Sequence, residues 1–386
     1  MSDFDLAVIG AGCAGLSLTA RLAEQAPGLR VALIDPRTRF EDDRTWCFWS
    51  DGTAPLDRLA CTRWPVWRFS DDRGAAAAHS ASGLDYVMVR GTDFYADALA
   101  RLTSGAIEFR LGQRAGRLDE KGREVRISLE GRAPITARHV VDTRPDRNAP
   151  ALMHQIFLGH EIEADHDAFD PACAGLMENL AGAERAVSFV YTLPLTTRRA
   201  LVEWTVFARA PCAPEALRPA LDAHLAGRGL SSARILRTER GVLPMGAFKA
   251  QRSASGRIVK AGAGGGAVRA ATGYAFQRIQ RWAQVCADQL AAGAAPTGHP
   301  PEPAVRAAMD RVFLKALHQN PDKGARFFMA LARRVPPAAL VRFMSDQASP
   351  ADLMRVVRAL PPSPFLAALA APARRSSAGA LEEQAA

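Results

Sequence analysis

At 386 residues the chain is long enough for two domains, or for one large domain with an insertion, and it can bury a sizeable core. Its 49 Lys and Arg against 40 Asp and Glu leave a net +9, and residues 301–375 hold twelve basic residues and five acids, so most of the surplus sits near the C-terminus. Six scattered cysteines (Cys13, Cys47, Cys61, Cys173, Cys212, Cys286) form no Cys-x-x-Cys pair, which argues against a disulfide or zinc framework and suits a reducing cytoplasm. No uncharged apolar run reaches the roughly 18 residues of a membrane span. The apolar stretch Leu6 to Ala20 follows acids (Asp3, Asp5) where a signal peptide would carry basic residues.

In chain order, "DLAVIG" is a short apolar strand that runs into "GAGCAG", where Gly10, Gly12 and Gly15 match G-x-G-x-x-G. A helical pattern follows through Leu16, Leu18 and Leu22. The next strand, "RVALIDP", puts Asp35 at its end, where a carboxylate can bond a ribose hydroxyl. Glycines suit this loop because the chain turns sharply and a pyrophosphate would lie almost on the backbone, at a helix N-terminus whose free N–H groups favour an anion. Strand, loop, helix and acid together predict a Rossmann-like α/β domain binding a dinucleotide, and leave NAD and FAD open at this point.

Residues 151–260 change texture. "HQIFLGHEIEAD", "AVSFVYTLPL", "ALVEWTVFA" and "TERGVLPMG" alternate as antiparallel strands do. In "LVEWTVF" the period of two sets Leu201, Glu203, Thr205 and Phe207 on one face and Val202, Trp204 and Val206 on the other. The second face is apolar and packs on a core. Glu203 then either meets solvent or lines a cavity, and in a cavity desolvation would raise its pKa and leave it protonated, as a general acid requires. The acids and histidines of "HEIEADH" (His160, Glu161, Glu163, Asp165, His166) are scattered over both faces by the same alternation, so no metal site is expected.

"GRIVKAGAGGGAVRAATGYAFQRIQRW" repeats the logic of the first loop: a strand, a glycine-rich turn, then a helix predicted from about Thr272, with Thr272 and Gly273 as cap and first-turn residues. Two glycine segments far apart in sequence suggest a dinucleotide held at both ends, which favours FAD. From Met309 onward short helices broken by prolines carry apolar stripes beside Arg and Lys, the pattern of a packed helical cap or of helices on an anionic membrane. No nucleic-acid module or aromatic stacking pattern appears.

"VIGAGCAGLSLTARL", "DRTWCFW", "YTLPL", "LVEWT", "GVLPMG", "AGAGGGAVRAATGYAF" and "RFMSDQASPADLMRVVRALPPSPFLAAL" come in the order and spacing of bacterial lycopene β-cyclases, and the chain resembles that family over nearly its whole length. The resemblance implies a glutathione-reductase-type FAD-binding domain (1–150 and 256–290), an inserted, mainly antiparallel β substrate domain (151–255), a helical cap or membrane-contact region (291–375) and a disordered tail (376–386). It implies non-covalent FAD that works reduced, NAD(P)H as reductant, lycopene and related carotenoids as substrates, and a peripheral place on the cytoplasmic side of the inner membrane, with other carotenoid-pathway enzymes as partners. Carried over residue by residue, Gly10, Gly12, Cys13, Ala14, Gly15 and Asp35 would hold the adenosine diphosphate half. Pro244, Gly264, Gly265, Thr272, Gly273 and Tyr274 would flank the isoalloxazine, and Glu203 falls on the catalytic acid. "KAGAGGG" lacks the Asp that many related flavoproteins place there, so backbone groups must serve. A flavin monooxygenase or prenyl reductase on the same fold is the nearest alternative, and a lipid carrier without turnover is a more distant one.

Overall fold

The computed structural model describes residues 2–102, 107–146, 151–246 and 253–370; the tail expected at 376–386 lies outside them. The chain opens with β1 (Phe4–Ile9), α1 (Cys13–Gln25) and β2 (Val31–Asp35). Then come β3 (Thr45–Ser50), β4 (Ala60–Trp64), β5 (Val66–Asp71), β6 (Ala76–His79), β7 (Asp85–Arg90) and α2 (Gly91–Arg101). Next are β8 (Ile107–Leu111), β9 (Ala115–Lys121), β10 (Glu124–Leu129) and β11 (Arg132–Asp142). The long strands β12 (Met153–Glu163), β13 (Cys173–Gly182), β14 (Ala186–Pro194) and β15 (Arg199–Ala208) precede α3 (Arg218–Gly227) and β16 (Arg234–Met245). After β17 (Ile258–Lys260) the described chain is helical: α4 (Phe276–Ala291), α5 (Ala304–Gln319), α6 (Gly324–Arg334), α7 (Pro337–Met344), α8 (Pro350–Ala359) and α9 (Pro362–Ala370).

The first sheet runs β8-β2-β1-β11-β10-β9, with β17 also paired to β11. β8, β2, β1, β11 and β17 are mutually parallel, whereas β9 and β10 pair antiparallel. The strands β1 and β2 are buried almost throughout, as parallel strands covered on both faces must be. On one face Leu6, Val8 and Leu33 pack with Leu16, Leu18 and Leu22 of α1 and with Ile279, Ala283 and Cys286 of α4; the other face packs under β9 and β10.

The second sheet runs β16-β12-β15-β14-β13-β5-β6 and is antiparallel except where β13 meets β5. The expected span 151–255 therefore holds five of its seven strands, and β5 and β6 come from the first 150 residues. Trp67 and Phe69 of β5 anchor them there by packing in one core with Leu176 and Phe189. Both faces of this sheet are covered. Val202, Trp204 and Val206 pack with Leu217, Leu221 and Leu225 around α3, while Leu201 and Phe207 face a core shared with α5 to α9. A small third sheet, β3-β7-β4, comes from the stretch between β2 and β8, and its Trp49 and Tyr86 join the same core.

One helix start is written in its sequence. Ser349 and Asp352 cap α8 reciprocally: the Ser349 hydroxyl accepts from the Asp352 N–H at 3.2 Å, and Asp352 Oδ2 accepts from the Ser349 N–H at 3.0 Å, with Pro350 at the first helical position.

Candidate active site

The first glycine loop has the shape a pyrophosphate needs. Gly10 sits at φ +97°, a backbone region that side chains disfavour, and a Cβ on Gly15 would lie 1.9 Å from the Gly10 carbonyl oxygen. Gly12 differs: a Cβ there would meet nothing within 4 Å. Gly12 is the N-cap of α1 and no side chain caps that helix, which leaves its first N–H groups for an anion. Ala14 and Gly15 are buried beneath it, and burial pushes the Cys13 thiol up to about 12, so Cys13 is a neutral thiol. These residues fit the diphosphate of a dinucleotide.

Asp35 is engaged already. Its Oδ2 accepts from the Ala11 N–H at 2.6 Å, and its Oδ1 accepts from the Arg37 N–H at 2.8 Å and from Arg37 Nε at 3.0 Å. Burial pushes its pKa up, but these bonds outweigh burial and hold it below the ordinary carboxylate range. Arg37, two residues beyond the acid, thus braces the carboxylate that the sequence assigns to a ribose.

The second glycine segment meets the first. Gly262, at φ +64°, lies so close to Ala14 that a Cβ would come within 3.0 Å of the Ala14 Cβ, and its N–H donates to His299 Nε2 at 3.0 Å. Burial pushes His299 down to about 4, so its ring is neutral and can accept. Gly264 and Gly265 leave no room for a side chain: Cβ atoms on them would fall 2.4 Å from the Arg144 carbonyl oxygen and 2.5 Å from the Lys260 backbone. The helix expected from Thr272 starts later, at Phe276 with Ala275 as N-cap. The reason is Gly273, whose φ of +74° cannot be helical; it forms a turn in which the Tyr274 N–H reaches the Thr272 hydroxyl at 3.3 Å. A Cβ on Gly273 would meet Gln155 Oε1 at 2.7 Å, so this turn lies directly against the second sheet. Pro244, expected beside it, pairs with His154 and lies on the sheet face opposite Glu203.

Glu203 lies in the middle of β15, and the registers of β14, β15, β12 and β16 align Tyr191, Glu203, Gly159 and Glu239 in one row across the sheet. Directly opposed residues share a face. Gly159 is what admits Glu203: a Cβ there would stand 2.9 Å from the Glu203 Cβ and 3.1 Å from its Cγ. Glu203 is only 9% exposed, and its Oε1 accepts from the Thr205 hydroxyl at 2.9 Å. Burial first, then the charge of Glu239, raises its pKa to about 8, while the Thr205 bond and Arg237 pull the other way. A carboxyl in this state holds its proton at neutral pH.

Tyr191 also lines an apolar cavity of about 590 Å³ with Trp49, Phe69, Phe189, Phe207 and Phe313. Glu203 stands beside this lining: Tyr191 is its cross-strand neighbour, and Phe207 lies on its own strand and face. Tyr274 lines it too, and its hydroxyl stands 3.3 Å from that of Tyr86. The helices α5 to α9 close the cavity, and Val357, Leu366 and Leu369 of its lining are 53%, 62% and 65% exposed, with Met354 at 49% nearby. Among the described residues no helix is long and apolar enough to cross a membrane.

Sequence reasoning missed Gly159, Tyr191, Arg237, Glu239 and Thr45. Alternation in "RTERGVL" puts Arg237 and Glu239 on one face, a legible signal, but nothing local shows which strand they oppose.

The sequence matches the family described as "Lycopene cyclase protein" over residues 5–370. It is 29% identical over 388 residues to the lycopene beta-cyclase of Paracoccus sp. (strain N81106 / MBIC 01143), covering 94% of this chain and 95% of that protein. The lycopene beta-cyclase of Pantoea ananas is 25% identical, covering 95% of this chain and 97% of that one. Among solved structures, a geranylgeranyl bacteriochlorophyll reductase-like protein from Thermoplasma acidophilum superposes with a TM-score of 0.64 at 13% identity, over 94% of this chain and 98% of that chain. CtdE, solved in complex with FAD, gives a TM-score of 0.55 at 11% identity, over 86% of this chain and 90% of that chain. These structural likenesses establish the shared fold.

Proposed function

The chain belongs to the lycopene cyclase family, and we propose that it is a lycopene β-cyclase, which isomerises the ψ end groups of lycopene to β-ionone rings, through γ-carotene to β-carotene, with no net oxidation. The observation that carries this reading is a buried carboxyl, Glu203, set between Tyr191 and Phe207 of an apolar cavity's lining, where burial favours its protonated form.

Glu203 donates its proton to the terminal double bond of the end group. The tertiary cation so formed is attacked by the next double bond, a six-membered ring closes, and loss of a ring proton completes the β-end. Protons gained and lost balance, so the product is an isomer. Trp49, Tyr191, Phe189 and Phe207 supply aromatic faces that favour a cation and exclude water from it. Gly10, Gly12, Gly15 and Asp35 would hold the adenosine diphosphate half of FAD, with Gly262 to Gly265 and the Thr272–Tyr274 turn on the flavin side. When bound in its reduced form, kept so by NAD(P)H, the flavin would supply negative charge beside the cation.

A hydrocarbon substrate must enter without crossing water. The exposed Val357, Leu366 and Leu369 at the cavity rim, flanked by Arg355 and Arg358, support docking on an anionic inner-membrane surface. Replacing Leu366 and Leu369 together by Glu should cut binding to anionic vesicles on the order of tenfold or more, given ~1.5–3 kcal/mol for each fully buried leucine. Vesicle co-sedimentation reads this, and unchanged binding would remove the rim from the docking surface.

Expression in a lycopene-accumulating bacterium tests the activity itself. Red cells should turn orange-yellow with pigment of unchanged mass. A reductase or monooxygenase would change the pigment's mass and consume NAD(P)H in step with product.

A further inference from the structure

A proton donor at neutral pH needs a reason to stay protonated, and burial supplies only part of it. The rest lies two strands away. Glu239 of β16 faces Gly159 from the side opposite Glu203, so the two carboxyls share one sheet face across a residue with no side chain to separate them. Both are buried, at 9% and 5% exposure.

Their partners are unequal. Glu239 accepts from the Thr45 N–H at 2.9 Å, from the Thr45 hydroxyl at 2.6 Å and from Arg237 Nη1 at 3.3 Å. Glu203 accepts one bond, from Thr205. Burial raises both carboxyls, but the Thr45 and Arg237 donors pull Glu239 back down, so the pair's negative charge settles on Glu239 and its proton on Glu203.

The surrounding charges reinforce this division. Arg90, Arg199 and Arg237 are bonded to Glu161, Arg90 and Arg237 also to Asp42, and Arg237 to Glu239. Three cations thus serve three anions. Arg44 lies further out and pairs with Asp43. Cys47 and Tyr191, the remaining ionisable groups near Glu203, are kept neutral by burial, which pushes both well above their ordinary values. A charge on Glu203 would be a fourth anion, and none of the three cations is bonded to it.

We propose that Glu239 is a positioning residue of the cyclase: a buried, ionised carboxylate, tied down by Thr45 of β3 and by Arg237, whose charge keeps the proton on Glu203 across the Gly159 gap. This rests on reading Glu203 as the acid. It also links the proton to the docking of the two sheets, because Thr45 belongs to the small β3-β7-β4 sheet and not to the sheet that carries Glu203.

The test uses purified holoenzyme without substrate. The infrared C=O band of protonated Glu203, identified by its loss in Glu203→Gln, is titrated in the wild type, in Glu239→Gln and in the charge-keeping Glu239→Asp. The wild-type band should fade near pH 8. In Glu239→Gln it should fade about one pH unit lower, the size Coulomb's law gives for two charges two strands apart at an effective dielectric of about 20. Glu239→Asp should restore most of that shift. An unmoved band in Glu239→Gln, or an equal shift in Glu239→Asp, would overturn the proposal. If Glu239→Gln does not fold, Thr45→Val loosens the hold on the Glu239 charge and should lower the Glu203 midpoint in the same direction; no shift there overturns it equally. The alkaline limb of cyclisation should follow the band. A wild-type enzyme that fails to cyclise lycopene while its band still shifts would sink the functional reading and leave this coupling standing.

Discussion

Glu203→Gln should lower cyclisation by ~10²–10⁴-fold while leaving the flavin bound, the range a positioned general acid contributes. Gln keeps the size of the side chain and can accept from the Thr205 hydroxyl, so the strand and its row of neighbours stay in place. What disappears is the transferable proton. In the wild type, activity should fall as pH rises through about 8, where Glu203 ionises. Stability should move with it. The folded-state pKa is raised from 4.5 to about 8, so the folded chain binds this proton more tightly than the unfolded chain does. That contribution is complete below about 4.5 and is lost as pH climbs through about 8. At ~1.4 kcal/mol per pH unit the cost reaches a few kcal/mol, and the Gln variant escapes it. Thermal melts should therefore show Glu203→Gln gaining on the wild type between pH 6 and pH 9. A variant with wild-type turnover, or no relative gain at high pH, contradicts a buried protonated acid.

Gly15→Ala should abolish flavin binding. A Cβ placed 1.9 Å from the Gly10 carbonyl oxygen and 3.0 Å from the Gly10 carbon meets backbone on both counts, so no rotamer change relieves it and the loop must open. The start of α1 moves with the loop. Gly12→Ala separates fold from ligand: with nothing within 4 Å, the chain should fold as the wild type does, yet the methyl group occupies the space left for a pyrophosphate. Flavin absorbance of the purified proteins, read beside their circular dichroism, distinguishes the two. Both variants should be colourless, with native secondary structure kept in Gly12→Ala. A yellow Gly12→Ala protein with normal flavin content would show that the loop does not carry the diphosphate.

Features that depend on neighbours in sequence were legible before the structure. The β1–loop–α1–β2 unit is local, and its glycines, helix stripe and Asp35 can each be justified from a few residues. The strand around Glu203 was legible for the same reason, through its period of two. Features that depend on distant partners were not. β13 reads poorly because "CAGLMENLAG" is rich in Ala and Gly, carries Asn179 at φ +52° and breaks register twice with β14. The start of α4 is hidden in the sequence because nothing beside Gly273 announces that its φ is positive. Sequence alone could not decide whether Glu203 met water or the interior, since its face is closed by helices α5 to α9, more than a hundred residues further along. Glu239 illustrates the limit most sharply. Its place on the same face as Glu203 follows from two strand registers, and neither is written in the residues around it.

The measurement that bears most directly on proton-initiated cyclisation is turnover of lycopene in deuterated buffer by enzyme whose flavin has been reduced anaerobically, with the product weighed by mass spectrometry. A carboxyl that has exchanged with solvent delivers a deuteron to the end group, and ring completion releases a proton from carbon. β-carotene formed this way should carry one deuterium per ring and consume no reductant in step with product. Product without deuterium, or formed only with stoichiometric oxidation of NAD(P)H, would contradict it.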